Sequence, residues 1–288
     1  MLGRNNSIGN RNMKGTAARL VKEKRGDYLP VLIILPAVLL GVWAMIGGGV
    51  SPALWGQQAA ALVLCLLIVR PIRRIVQKAR PAVMAALLLL FLAATLLGDG
   101  AGGARRWLDL GVFNVNAALL VLPALLVLPG GMQQLGLLLC ASALLCIQPD
   151  FSQLTALLAA SLPLLWRRRK ERGMVILCAA FEIVFAMICL GKPVVMEPVP
   201  YCEGVLAMLG GQSALLLAAG AASLAIIPGF WVWRFWKEKH MWMLSLAAYY
   251  AVTMLFGLTG EYPVPFMGFG LSPILGCALA AAAVPEAS

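Results

Sequence analysis

The sequence predicts an all-α polytopic membrane helix bundle of about ten transmembrane helices with both termini cytoplasmic. Three observations carry that reading. Apolar residues make up 61% of the chain, charged residues only 12%, and the mean hydropathy is +0.89; soluble domains carry about 25% charged residues. Several apolar runs approach the ~20 residues a helix needs to cross a bilayer, and only helices or closed barrels can do so with their backbone satisfied. Finally, the basic residues alternate with the apolar runs. All of the 23 Lys and Arg except Arg105, Arg106 and Lys192 fall in four clusters, Arg4 to Arg25, Arg70 to Arg80, Arg167 to Arg172 and Arg234 to Lys239. This is the positive-inside pattern. Asp99, Asp109, Asp150, Glu197, Glu203 and Glu261 fall in the other connections, so the outer face is weakly negative and the inner strongly positive. The net charge of +11 is thereby explained without nucleic acid.

Residues 1–27 read as a basic cytoplasmic tail, with residues 28–288 forming a single transmembrane bundle domain. Up to about Gly15 the tail lacks apolar character and reads as disordered, while Arg19 to Arg25 can lie along an anionic inner leaflet. The segment is not a cleavable signal peptide by pattern: the basic stretch is long, and the apolar run behind it reaches spanning length without a small-residue cleavage site.

The first two helices run from about Tyr28 to Met45 and from Ala53 to Val69, the second ending inside at Arg70-Pro71-Ile72-Arg73-Arg74. The third runs from Ala82 to Gly98 and leads to an external loop, Gly100 to Gly111. From Asn114 to Trp166 the chain must return to the inner Arg167–Arg172 run, which demands an odd number of crossings. A single helix of that length would be about 75 Å long against a ~30 Å core. Three crossings fit, with breaks at Pro129-Gly130-Gly131 and Gln148-Pro149-Asp150. The seventh helix covers Met174 to Leu190, and a proline-rich external link, Gly191 to Glu203, leads to the eighth, Gly204 to Ile227. Trp231 to His240 turns inside as an aromatic belt. The ninth helix covers Met241 to Leu258 and the tenth about Gly268 to Val284, joined by an external link through Glu261 to Phe266 in which Pro263 and Pro265 shape a re-entrant turn.

The external loop holds the most informative residues, Arg105, Arg106 and Trp107. Guanidinium groups fork onto phosphate oxygens, and Trp favours the lipid–water boundary, so the trio suits a phosphate-bearing amphiphile; it suits a plain interfacial anchor as well. Asp150 stands where a helix cap is expected. Glu182 lies near mid-bilayer, where an ionisable group is costly and faces the bundle interior, either protonated or paired with a polar group on a neighbouring helix. The seven cysteines, mostly inside apolar runs with only Cys202 external, show no metal-site spacing, and the single His240 excludes a His-based site. No cofactor or metal is expected.

Four segments resemble the SEDS family, the FtsW/RodA/SpoVE group of shape, elongation, division and sporulation proteins. Gly103-Ala104-Arg105-Arg106-Trp107-Leu108 is similar to the family's Gly-Ala-Arg-Arg-Trp-Ile after helix 3, and Gln148-Pro149-Asp150-Phe151 to its Gln-Pro-Asp-Leu between helices 5 and 6. Pro200 to Gly210 resembles the entry to helix 8. Thr259-Gly260 with Pro263-Val264-Pro265-Phe266-Met267-Gly268-Phe269-Gly270-Leu271-Ser272 resembles Thr-Gly-x-Pro-Leu-Pro-Phe-x-Ser-Tyr-Gly-Gly-Ser. The resemblance implies polymerisation of peptidoglycan glycan strands from lipid II or a related undecaprenyl-linked sugar. It implies a class B penicillin-binding transpeptidase as partner and the bacterial cytoplasmic membrane as location. It assigns Glu203 the place of the family's catalytic Asp, with Arg105, Arg106, Trp107, Gln148, Asp150, Pro265 and Phe266 as substrate-binding residues and the two arginines toward the pyrophosphate. The chain departs from the family in its short link before helix 8 and in Asn116-Ala117-Ala118-Leu119, where the family carries Gln-Pro-Ser-Glu. Two alternatives follow: a catalytically inactive scaffold for a cell-wall partner, and, ranked behind it, a transporter of lipid-linked substrate suggested by Glu182 and the glycine-rich eighth helix.

Overall fold

The computed structural model describes residues 28–285 apart from 99, 101, 112, 129–130, 169, 193 and 195–196. The basic tail, Asp99, Arg169, Pro193 and the Pro129-Gly130 part of the first expected break lie outside the described residues.

Among the described residues eleven α-helices follow one another: α1 (Tyr28–Gly47), α2 (Pro52–Lys78), α3 (Pro81–Ala94), α4 (Ala117–Val127), α5 (Gly131–Ile147), α6 (Phe151–Arg167), α7 (Arg172–Leu190), α8 (Val205–Gln212), α9 (Ala214–Glu238), α10 (Met241–Gly257) and α11 (Ser272–Ala283). α1, α7 and α9 are each long and apolar enough to cross a bilayer. α2 and Pro81–Leu97 meet at a bend of 119°, and α4, α5, α10 and α11 are apolar but shorter. Leucines, isoleucines and tryptophans are exposed along the outside of the bundle, Leu67, Ile176 and Leu215 among them, as a lipid-facing surface requires. The chain is a multi-pass membrane protein.

Three elements differ from expectation, one of them α9, which stays helical to Glu238 through residues 231–238 that were expected to turn. α2 does not end at Arg70 but continues through Pro71 to Lys78, stopping at Ala79 ahead of Pro81. The extra turns are held from the side: Arg70 lies 4.7 Å over the Tyr28 ring, and Arg73 donates to the Ala281 carbonyl at 3.3 Å. The extension stops where a residue shortly before proline leaves the helical region. The expected eighth helix is two helices. Ser213 takes an extended conformation (φ −168°, ψ 140°), and its hydroxyl accepts the Leu215 N–H at 3.1 Å, capping α9. Gly210 and Gly211 just before it weaken the helix that would otherwise run through.

α11 is wedged between α2 and α4, and α10 lies along α6. The wedge is close-fitting, because a Cβ on Gly276 would overlap the Leu119 carbonyl. Polar links fasten it at long sequence separation: the Asn116 N–H donates to Ser272 Oγ at 2.7 Å, the Cys65 thiol to the Ile274 carbonyl at 3.5 Å, and the Cys277 thiol to the Pro30 carbonyl at 3.3 Å. α7 stands at the periphery, apolar and largely uncovered by protein. Its Glu182 is buried and accepts the Ser161 hydroxyl of α6 at 2.6 Å, so the costly mid-bilayer carboxyl is paired across helices.

Candidate functional site

The Arg-Arg-Trp loop is ordered by a short antiparallel hairpin, β1 (Trp107–Asp109) with β2 (Asn114–Asn116), in which Trp107 faces Asn116. At its tip the Asp109 carboxylate accepts the Gly111 N–H at 2.7 Å, and Gly111 has φ +80°, a conformation glycine takes without cost. The base of the hairpin is tied to the helices. The Arg105 N–H donates to the Gln148 carbonyl at 3.2 Å, and the Ala117 N–H donates to the Arg106 carbonyl at 3.2 Å. Asn116 then caps α4 by accepting the Leu119 N–H at 3.1 Å.

The two arginines part company. Arg105 is exposed and donates one guanidinium N–H to the Leu96 carbonyl at 3.1 Å. Arg106 turns inward, only 6% exposed, with its Nε 3.4 Å from Oδ1 of Asp150, which is 1% exposed. Arg106 also donates to the Pro149 carbonyl at 3.4 Å and stands 5.3 Å from the Tyr262 ring centroid and 6.0 Å from that of Trp107. Asp150 Oδ1 accepts the Ser152 hydroxyl at 3.0 Å and the Gln153 N–H at 3.4 Å, which caps α6. Gln148 is buried and donates to the Leu92 carbonyl at 2.7 Å and to Thr95 Oγ1 at 2.6 Å, fastening the turn before α6 to the end of α3.

These residues surround a small recess of about 10 Å³, the space of one water-sized group. Arg106, Trp107 and Asp150 line it, joined by Asn116, Ser152 and Gln153 from β2 and α6 and by Thr253, Tyr262 and Pro263 from α10 and the link after it. Tyr262 leans on Phe256, and Phe256 on Phe151, in edge-to-face contacts of 5.0 and 5.8 Å. Burial pushes the Tyr262 phenol above its ordinary range although Arg106 pulls the other way, so the hydroxyl stays protonated at neutral pH and remains a donor.

Pro265 and Phe266 are buried beside the recess rather than in it. Phe266 has φ +66°, packs 5.5 Å from the Tyr250 ring, and gives its carbonyl to Gln58 Nε2 at 2.8 Å; the Met267 carbonyl accepts from the same amide at 3.2 Å. Gln58 of α2 therefore holds this turn through two backbone carbonyls. Glu203 does not line the recess. Its Oε2 accepts the Val199 N–H at 2.7 Å, closing the turn that leads into α8. That turn lies against the re-entrant link through the Val264 N–H to the Cys202 carbonyl (3.2 Å) and the Phe269 N–H to the Tyr201 carbonyl (2.9 Å). Cys202 is pushed well above the usual thiol range by burial and, next, by the Glu203 charge. The Glu203 turn and the Arg106–Asp150 recess are thus joined by one segment, residues 262–269, without sharing a cavity. Among the described residues no cluster of His, Cys, Asp and Glu can hold a metal ion.

With that geometry set, solved structures supply a match. Over 89% of this chain and 94% of the other, the fold superposes on Thermus thermophilus rod shape determining protein RodA at 17% identity. The TM-score is 0.61 for an aspartate-to-alanine variant of RodA and 0.58 for RodA itself. The chain has the RodA fold. No protein-family model matches the sequence, and no curated protein matches it. The likeness to RodA is one of architecture, and the recess is described by this chain's own residues. Sequence reading found its charged pair but not Tyr262, Gln153 or Thr253. Gln153 and Thr253 were legible only as polar residues inside otherwise apolar helices, and Tyr262 only as a neighbour of Pro263.

Proposed function

We propose that this chain is a SEDS protein that polymerises glycan strands from lipid II or a related undecaprenyl-linked sugar in the bacterial cytoplasmic membrane, working beside a class B penicillin-binding transpeptidase. The observation that supports it most is the meeting of Arg105–Trp107 with Gln148–Asp150 under Tyr262 on the RodA fold. These are segments that resemble the family's motifs, and they are more than forty residues apart along the chain. Glycosyl transfer needs a base for the acceptor hydroxyl and positive charge for the departing pyrophosphate. In this reading Glu203 is the base and Arg105, exposed beside Trp107, meets the pyrophosphate.

The test is turnover of fluorescent lipid II by purified protein beside Glu203→Gln and Arg105→Ala. Glycan ladders from the wild type that disappear in both variants are the expected result. Unchanged ladders from Glu203→Gln would remove Glu203 as the base. A second reading, a non-catalytic scaffold for a cell-wall partner, is favoured by the Glu203 carboxylate being engaged in its own turn. A folded wild type that co-purifies with a transpeptidase and makes no polymer alone or with it would favour that reading.

A further inference from the structure

Two polar atoms of the recess are buried and have no hydrogen-bond partner: Nε of Arg106, a donor, and Oδ2 of Asp150, an acceptor. The Nε is 3.4 Å from the other carboxylate oxygen, close enough for an ion pair but misaligned for a hydrogen bond. An unmet buried donor or acceptor costs about 1–3 kcal/mol, and here one of each belongs to a side chain that lines the same small space. The complement is a group that accepts once and donates once. The space, about 10 Å³, admits one such group of water size. A hydroxyl has that chemistry: its oxygen accepts as the Arg106 N–H requires and its proton donates as Asp150 Oδ2 requires. A phosphate does not fit, because it has no proton for the carboxylate at neutral pH and brings negative charge to an arginine that Asp150 has already neutralised.

We propose that the Arg106–Asp150 recess is a subsite for a sugar hydroxyl of the lipid-linked substrate, and that the pyrophosphate is left to the exposed Arg105 outside the recess. This rests on the reading of the substrate as an undecaprenyl-linked sugar. It divides two adjacent arginines between two parts of one ligand, which their adjacency in sequence conceals. Tyr262 lines the recess with its ring centroid 5.3 Å from the Arg106 guanidinium carbon, so its hydroxyl adds a polar group to the recess without being part of the ion pair.

The experiment compares binding of two probes, lipid II and undecaprenyl pyrophosphate, to the full chain in nanodiscs. Loss of one or two hydrogen bonds in a desolvated site corresponds to about a tenfold change in affinity. Asp150→Asn and Tyr262→Phe should each weaken lipid II about tenfold and leave undecaprenyl pyrophosphate unchanged, while Arg105→Ala should weaken both alike. Tyr262→Phe leaves the ion pair intact, so it answers the question even if Asp150→Asn does not fold. Equal weakening of both probes by Tyr262→Phe, or no effect on either, overturns the subsite and means that the recess holds only water. Wild-type protein that binds both probes equally tightly overturns the subsite but leaves the polymerase reading standing. Wild-type protein that binds neither overturns both.

Discussion

Replacing Arg106 by Met removes the cation from a pair in which both partners are nearly inaccessible, 6% and 1% exposed. Met keeps most of the aliphatic length, so the change is chiefly the loss of charge and donors. Asp150 would keep the Ser152 hydroxyl and the Gln153 N–H on Oδ1, with nothing on Oδ2. Breaking a buried pair from one side costs about 3–5 kcal/mol, because the remaining charge stays desolvated. Removing the carboxylate charge as well, in Arg106→Met with Asp150→Asn, removes that penalty. The double variant should therefore be more stable than Arg106→Met alone, with a coupling of about 1–3 kcal/mol. With the exposed Cys140 and the half-buried Cys202 replaced by Ser, the assay is built into the chain: Cys65, Cys146, Cys178, Cys189 and Cys277 are buried, so a thiol-reactive fluorophore reports unfolding in detergent as temperature rises. A cost below about 1 kcal/mol for Arg106→Met, the range of exposed ion pairs, or strict additivity in the double variant would refute the claim that the pair is buried and coupled.

Three further outcomes follow from other contacts. Ser161→Ala leaves the Glu182 carboxyl unpartnered at the α6–α7 interface and should cost about 1–3 kcal/mol, whereas Glu182→Gln keeps an acceptor for the hydroxyl and should be milder; thermal midpoints compare them. Gly268→Ala would drive a Cβ into the Cys202 carbonyl, so it should destabilise by about 1–3 kcal/mol, as overpacking does, and polymer formation should fall with it if the Glu203 turn is displaced. The raised Cys202 thiol means a small thiolate fraction at neutral pH. In a Cys140→Ser background that removes the exposed thiol, maleimide labelling of Cys202 should thus be slow at pH 7 and still rise through pH 9, and Glu203→Gln should speed it by removing a neighbouring negative charge. A labelling plateau near pH 8 would contradict the burial.

Much of this architecture was legible in hydropathy and charge. The apolar runs between basic clusters become helices, and the Gln148-Pro149-Asp150 break falls between α5 and α6 as its proline and polar residues imply. Two features were not legible, each for a physical reason. The break at Ser213 depends on a serine cap and two glycines inside an apolar run, too weak a local signal to outweigh hydropathy. The continuation of α2 past Pro71 is decided by Tyr28 and Ala281, residues far away in sequence. At the site, Arg105 and Arg106 read alike because charge and composition do not reveal direction. Only the hairpin register and the position of Asp150 send one arginine outward and the other in.

The wedge of α11 has a consequence for assembly. A bundle inserted in chain order receives α2 and α4 well before Ser272 arrives. Until then, the sides of α2 and α4 that later meet α11 face lipid, and the amide of Gln58 has neither the Phe266 nor the Met267 carbonyl to bind. The link just ahead of α11 carries Tyr262 to the recess and braces the Glu203 turn. Closure of the bundle and completion of its pocket therefore both wait for the last part of the chain, and a chain stopped before Tyr262 would lack Tyr262 and Pro263 of the recess as well as the seal.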